Sequence, residues 1–432
     1  MNAKLFHSFD LSDWLDYVTR QHWQKVDMGL SRMRIMCERL ELFLPASKVI
    51  TVAGTNGKGT TCHALEQLLL DSGYSVGTSL SPHIDRFNER IRIAGHELDD
   101  ETICRAFAEI EAARERLTLT YFEYSTLAAL LTFKEADLDI AILEIGLGGR
   151  LDAFNVIDAD IAVITNIAFD HQELLGNTLH AIGREKAGIL RRGQKVVLGA
   201  GMPRSVFNQC ERLDLQPFVF GVDFDVEYHD HQQTWTFANL SASSNLPGTV
   251  KNIETGQCAP ANMALAYATV AHLMNAESAD AGIRKLSRSL SIRGRLECRA
   301  WEGRTLISDV AHNPAGALFL CRELAFRGIK PDLIVCGMLQ GKDHGGVYAA
   351  VSEKLSADWV LITTFGDRAF KCGELDGAMG HPGALLLDTK EEDLASFLRS
   401  ATVEGDVILA FGSFSTVEQA RLNPDPTRVS SC

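Results

Sequence analysis

The sequence predicts an α/β protein with an N-terminal P-loop domain on a parallel sheet and a second, smaller Rossmann-like α/β domain. Three observations carry this reading. Short apolar runs alternate with helix-length amphipathic segments along most of the chain. A glycine-rich loop stands between one such run and one such helix. A fresh series of apolar runs then begins after a turn-rich stretch near residue 295.

In chain order, Leu11 to Thr19 and Met33 to Leu42 space their apolar residues as helices do, around an irregular stretch from Lys25 to Leu30. Val49 to Ala53 reads as a buried strand and Thr60 to Leu70 as the helix after it. Ile140 to Leu143, Ile161 to Thr165 and Lys195 to Leu198 read as further strands. From Gly221 to Thr249 the texture turns polar and aromatic, as in Val226 to His229 and Thr234 to Phe237, and predicts an antiparallel hairpin region. Ala261 to Met274 is helical in pattern. The turn-rich Ser291 to Leu296 then precedes Thr305 to Ser308, Leu333 to Cys336, Val360 to Thr363 and Val407 to Ala410. These predict an open α/β sheet that lacks the G-x-G-x-x-G dinucleotide fingerprint. The expected domains are 1–295 and 296–432.

With 432 residues, 46% of them hydrophobic, there is material for large cores. Lys+Arg 42 against Asp+Glu 56 gives −14, which argues against nucleic acid and anionic membranes as partners. The ten cysteines are scattered without a C-x-x-C pair, which favours reduced thiols over a metal finger. No apolar run approaches the ~18 residues of a membrane span. Asp10 and Asp13 stand where a signal peptide would be apolar, so a cytoplasmic location is expected.

The chemistry concentrates at Gly54-Thr55-Asn56-Gly57-Lys58-Gly59-Thr60. Backbone N–H groups at a strand-to-helix junction cradle phosphates, and a helix N-terminus favours negative charge. Lys58 would reach the β- and γ-phosphates and Thr60 would hold a magnesium ion. The spacing departs from the strict G-x-x-x-x-G-K-[ST] pattern: two residues separate the glycines, and Gly59 precedes the hydroxyl. Glu144 and His171 follow predicted strands, and ligands of open α/β sheets bind at such ends. Either alone would read as a solvated charge or a satisfied loop histidine; beside a phosphate loop both become metal candidates.

This loop is similar to that of Mur-type ATP-dependent amide ligases, which implies that the N-terminal domain is a P-loop ATPase. Further segments narrow the match: Ser81-Pro-His-Ile-Asp-Arg-Phe-Asn-Glu-Arg90, Leu119-Thr-Tyr-Phe-Glu-Tyr124, Leu143-Glu-Ile-Gly-Leu-Gly-Gly-Arg-Leu-Asp152, Arg184-Glu-Lys-Ala-Gly-Ile189, Asp309-Val-Ala-His-Asn-Pro314 and Gly412-Ser-Phe414. Together, in this order over nearly the whole chain, they resemble the bacterial dihydrofolate synthase/folylpolyglutamate synthase family. The resemblance implies that ATP activates a carboxylate as an acyl phosphate, which the amine of L-glutamate then attacks. Dihydropteroate and reduced folates would be the acceptors, and a monomer is expected.

Position by position, the resemblance makes Thr60, Ser81, Glu144, His171 and Lys186 metal positions, with two Mg²⁺ ions. It implies a carbamate on Lys186. Asn262, Arg295 and Asp309 would complete the ATP contacts, with ATP between the domains. Lys58, His171, Lys186, Asp309 and His312 are the catalytic candidates. Asp27, Gly29 and Leu30 fall on the family's mobile substrate loop. Leu80, Thr120, Tyr121, Phe122, Glu123, Leu151, Asp152 and Ala153 would face the pterin, with Glu123 offering its carboxylate to amino groups. His312 and Ser413 would serve the glutamate.

Four positions depart from the family pattern: Phe154 for Thr, Asn166 for Ser, Arg293 for Pro, and Ser31 for an acidic residue. Two alternatives stand beside this reading. Another Mur-type amino-acid ligase is disfavoured because only ~50 residues precede the phosphate loop, too few for a UDP-binding domain. A P-loop kinase would phosphorylate its acceptor without consuming glutamate.

Overall fold

Apolar β-branched runs flanked by helices fold as a parallel sheet covered on both faces, and the computed structural model follows that rule twice. It describes residues 8–241, 246–274, 276–366, 368–380 and 383–421. The first sheet has eight strands in the spatial order His96–Glu97, Ile91–Ile93, Val76–Ser79, Ile140–Glu144, Lys48–Ala53, Ile161–Ile164, Lys195–Leu198 and Phe218–Val219. The six from Val76–Ser79 onward run parallel; the two at the other edge are antiparallel. Lys48–Ala53 is central, fully buried after its first residue, and feeds the helix Lys58–Asp71. The helix Tyr121–Glu135 buries every side chain from Glu123 to Phe133, because that stretch lies in the core rather than over it. Its Thr120 cap and Glu123 satisfy each other's backbone N–H groups.

The second sheet has six strands, in the order Glu297–Trp301, Arg304–Asp309, Val407–Phe411, Leu333–Cys336, Asp358–Ile362 and Leu385–Leu387. All its pairings are parallel except the first. The predicted hairpin region contains the strands Phe224–His229 and Thr234–Asn239, joined by a third, Val250–Glu254.

The chain divides into two units. One comprises Met1–Asp225, Ala238–Thr249 and Asn262–Ile283; the other comprises Val226–Phe237, Val250–Ala261 and Arg284–Cys432. The chain thus passes between units several times, where the sequence suggests one boundary near 295. Eight of the ten cysteines, from Cys37 to Cys372, are free thiols. No described helix is long and apolar enough to cross a membrane.

Candidate active site

Loops that follow neighbouring parallel strands share one edge of the sheet. In the first unit Val52 pairs with Glu144, Ala53 with Ile164, and Ser79 with Leu143. The segments beginning at Gly54, Leu80, Ile145 and Thr165 therefore meet at that edge.

The phosphate loop is built by close approach. A Cβ on Gly54, whose φ is 148°, would fall 1.8 Å from Thr165 Oγ1, and one on Gly57, whose φ is 79°, would fall 2.2 Å from Asn262 Nδ2. Only glycine fits either place. The Thr165 hydroxyl donates to the Asn56 carbonyl at 2.6 Å, and the Asn166 side chain bonds the N–H and carbonyl of Asn56 at 3.0 and 2.9 Å. Asn262, predicted for the nucleotide, donates to the Gly57 carbonyl at 3.2 Å. The helix Lys58–Asp71 has no side-chain cap at its N-terminus, which suits that end to an anion.

Two lysines come to this loop. Lys58 Nζ folds back to the Thr55 carbonyl at 3.3 Å. Lys186 Nζ is buried and donates to the Gly54 carbonyl at 2.7 Å. Burial, reinforced by the charge of Lys58, pushes the Lys186 ammonium down to about 7 against the pull of Asp170 and Asp152. Asp170, which the sequence reading passed over beside His171, is thus part of the same electrostatic cluster.

The metal candidates sit around the same edge. Glu144 is buried at its strand end and accepts the Ser81 N–H at 2.9 Å. Thr60 is buried in the first turn of its helix. His171 has φ 49°, donates its N–H to Asp170 at 2.9 Å, and turns its ring toward Asp170 and Glu173, each at 3.8 Å. Among the described residues no three carboxylate, thiol or imidazole groups are gathered as a cage. A hard cation that also binds phosphates and water requires no such cage.

A cavity of about 260 Å³ opens between the segments 25–29, 120–123 and 146–153. Of the residues predicted for the acceptor, Asp27, Gly29, Thr120, Phe122, Glu123, Leu151, Asp152 and Ala153 line it, together with Ser81. Leu30, Leu80 and Tyr121 are not in its wall. Leu30 precedes the helix Ser31–Leu40, Leu80 donates its N–H to the Arg90 carbonyl, and the Tyr121 ring packs edge-on to Phe87. Phe122 lies against Gly146, where a Cβ would come within 2.5 Å of its ring, and meets Phe154 edge-on at 6.0 Å. Asp152 accepts the N–H groups of Leu147 and Phe154 at 2.9 and 3.0 Å, and burial pushes it up to about 6.

The Glu123 carboxylate is occupied from within. It accepts the Thr120 N–H at 2.8 Å and Nε of Arg32 at 3.0 and 3.1 Å. The sequence reading missed Arg32 and also Arg90, which lines the cavity. The buried Arg90 guanidinium lies over the rings of Phe87 and Tyr121 and donates to His83 Nδ1 at 2.8 Å. Burial and that guanidinium push His83 down to about 4, so it accepts as a neutral ring. Arg90 closes the segment that begins at Ser81, and that adjacency was the available signal.

In the second unit Asp309 ends its strand opposite Phe411. Its half-buried carboxylate accepts the N–H groups of Leu296 and Ala311 at 2.9 and 2.8 Å. Burial raises its pKa while Arg295 opposes the rise. Arg295 lies over the Phe414 ring at 5.4 Å. His312 Nδ1 is 2.8 Å from the Val310 carbonyl, which makes Nδ1 the protonated nitrogen. The Ser413 hydroxyl caps the helix Phe414–Gln419 by accepting the Thr416 N–H at 3.1 Å.

The chain is similar to known proteins in sequence and in fold. Residues 52–259 match the Mur ligase middle domain, and residues 294–414 match the Mur ligase, glutamate ligase domain. The chain is 37% identical over 441 residues to the dihydrofolate synthase/folylpolyglutamate synthase of Haemophilus influenzae, covering 97% of this chain and 98% of that one. Among solved structures, Escherichia coli FolC in complex with DHPP and ADP is similar with a TM-score of 0.87, at 36% identity over 95% of this chain and 96% of that one. A bifunctional folylpolyglutamate synthase/dihydrofolate synthase with Mn, AMPPNP and L-glutamate bound gives 0.85, at 37% identity over 96% and 98%.

Proposed function

Because the chain belongs to the dihydrofolate synthase/folylpolyglutamate synthase family of Mur ligases, we infer that it is an ATP-dependent ligase joining L-glutamate to dihydropteroate and to reduced folates. One observation carries the reading at the level of the site. The phosphate loop with its two lysines and the acceptor cavity share a wall: Ser81, held by Glu144, lines the cavity, and Asp152 acts electrostatically on Lys58 and Lys186.

The acceptor carboxylate attacks the γ-phosphorus of ATP, the bond to the β-phosphate oxygen breaks, and ADP leaves. The glutamate amine then attacks the acyl carbon, loses a proton, and displaces phosphate. No protein nucleophile takes part, so catalysis rests on positioning and charge neutralisation. Lys58 and the N–H groups of the helix it opens face the transferring phosphoryl group. Arg90, in the cavity wall, is placed to meet acceptor charge. Asn262, Arg295 and Asp309 complete the ATP contacts, and His312 meets the glutamate. Ser413 serves the same amino acid only by sharing the hydroxyl that caps its helix.

Thr60, Ser81, Glu144 and a carbamylated Lys186 would offer the oxygen donors that suit Mg²⁺, with His171 adding a ring nitrogen, and the ion when bound would neutralise phosphate charge. Two ions fit this donor set when Lys186 carries a carbamate. The amine that burial keeps largely neutral above about pH 7 attacks carbon dioxide and loses a proton, leaving a carboxylate-like group beside Gly54. Labelled bicarbonate tests this: a carbamate resonance that disappears in Lys186→Ala is expected, and an unmodified amine in crystals grown with bicarbonate near neutral pH would overturn it. The enzyme is proposed to act as a cytoplasmic monomer without nucleic acid or membrane partners.

The deciding assay supplies Mg²⁺, ATP and glutamate with dihydropteroate, then with a reduced folate monoglutamate. Phosphate release equal to amide formation is expected with both. Activity with one acceptor reduces the protein to a single synthase, and activity with neither removes the reading. Phosphorylated acceptor formed without glutamate consumption would indicate a kinase.

A further inference from the structure

Arg32 stands where its own helix gives it no reason to be. It is the second residue of Ser31–Leu40, and a helix N-terminus favours acidic side chains over basic ones. Its guanidinium instead turns to two acids, Asp27 five residues before it and Glu123 ninety-one residues after it. Nε meets both oxygens of Glu123 at 3.0 and 3.1 Å, Nη1 meets Asp27 Oδ2 at 2.6 Å, and Nη2 meets the Asp27 carbonyl at 2.8 Å. Asp27 and Glu123 both line the acceptor cavity, from two different segments of the chain. A second stitch runs beside the first: His22 meets Asp27 Oδ2 through Nε2 at 3.1 Å and Thr118 through Nδ1 at 2.9 Å. The strap carrying Lys25 to Gly29 is therefore sewn at two points to the segment that enters the helix Tyr121–Glu135.

We propose that Arg32 is the positioning residue of this cavity, fixing by its grip on Asp27 and Glu123 how the strap and the Thr120 to Glu123 segment join to form one wall for the acceptor. The inference rests on the ligase reading above and deepens it. With both acids committed to Arg32, the acceptor meets Phe122 and the strap backbone on this side rather than a free Glu123 carboxylate. A planar five-donor fork can span two acids at once, whereas a lysine cannot.

The test uses R32M and R32K in the full-length enzyme, with thermal unfolding followed in each. The KM for dihydropteroate should rise about tenfold or more in R32M and by a smaller factor in R32K, with kcat within about twofold and the KM for ATP unchanged. Amide hydrogen exchange over residues 20–30 should speed up in both. An unchanged KM for dihydropteroate with only a lowered melting temperature would make Arg32 a structural brace and overturn the proposal. So would a fall in kcat without a change in KM. Should R32M fail to fold, R32K decides by the same two readouts. If the wild-type enzyme forms no ADP with dihydropteroate and glutamate, the ligase reading fails. The exchange measurement then stands alone, and unchanged exchange overturns the clamp.

Discussion

Asn166 grips the backbone of Asn56 at both ends, its Oδ1 accepting the N–H at 3.0 Å and its Nδ2 donating to the carbonyl at 2.9 Å. The Asn56 N–H is thereby engaged by the protein, and the Asn166 side chain fixes the course of the loop at that residue. A serine, which the family pattern favours here, carries one oxygen and cannot make both bonds. In N166A two hydrogen bonds worth about 1 kcal/mol each are lost, so the KM for ATP should rise by up to about thirtyfold. ATP titration of initial rates measures this. An unchanged KM would show that Thr165, which also holds the Asn56 carbonyl, suffices.

Lys58→Ala tests the charge carried to the phosphates. The side chain leans over its own loop toward the Thr55 carbonyl rather than into a core, so its loss should leave the fold intact. Removal of a preorganised cation from a transferring phosphoryl group costs several kcal/mol, so ligation should fall well below about a tenth of the wild-type rate. Circular dichroism paired with phosphate release separates folding from catalysis, and a variant above that rate would contradict the role.

Much of this site was legible because its residues sit next to punctuation that the chain cannot hide. Gly54 and Gly57 lie between a strand and a helix, and Glu144 ends an apolar run, so strand-end logic locates them, whereas Asp309, which ends another, enters only through the motif resemblance. What stayed hidden depends on contacts across long sequence separations. Lys186 reaches the Gly54 carbonyl across 132 residues, and Arg32 reaches Glu123 across 91, and no local pattern announces either. The strand Val76–Ser79 was missed for another reason: four residues that include glycine and serine carry no periodicity. Thr120 to Glu123 reads as a substrate segment without revealing the helix Tyr121–Glu135 that it opens, because a helix with so much of its surface buried shows little polar face.

Phe154 is a core residue with a functional neighbour. It is 2% exposed and meets Phe122 edge-on, while Phe122 leans on Gly146 at the cavity wall. Phe154→Thr leaves a void and buries a hydroxyl, so a stability loss of about 3 kcal/mol is expected in denaturant unfolding. Phe154→Leu preserves more of the volume and should cost less than that. Equal losses in the two variants would mean that loss of the ring against Phe122, rather than lost volume, sets the cost.

His272 supplies the pH prediction. Its ring stacks on Phe218 at 5.0 Å with 2° between planes, and its Nε2 is buried without a hydrogen-bond partner among the described residues. Burial, then the charge of Lys195, pushes it from 6.5 to about 4. Between those values the unfolded chain binds a proton that the folded ring refuses, so stability falls as pH drops. The full contribution is present above about pH 6.5 and is lost progressively toward pH 4. Allowing for its partial exposure, the loss should be roughly 1–2 kcal/mol. His272→Phe keeps the stacked ring and removes the titration, so it should flatten the acid limb of a melting-temperature profile from pH 7 to pH 4 and exceed wild type near pH 5. Parallel profiles for the two proteins would mean that acid sensitivity arises elsewhere.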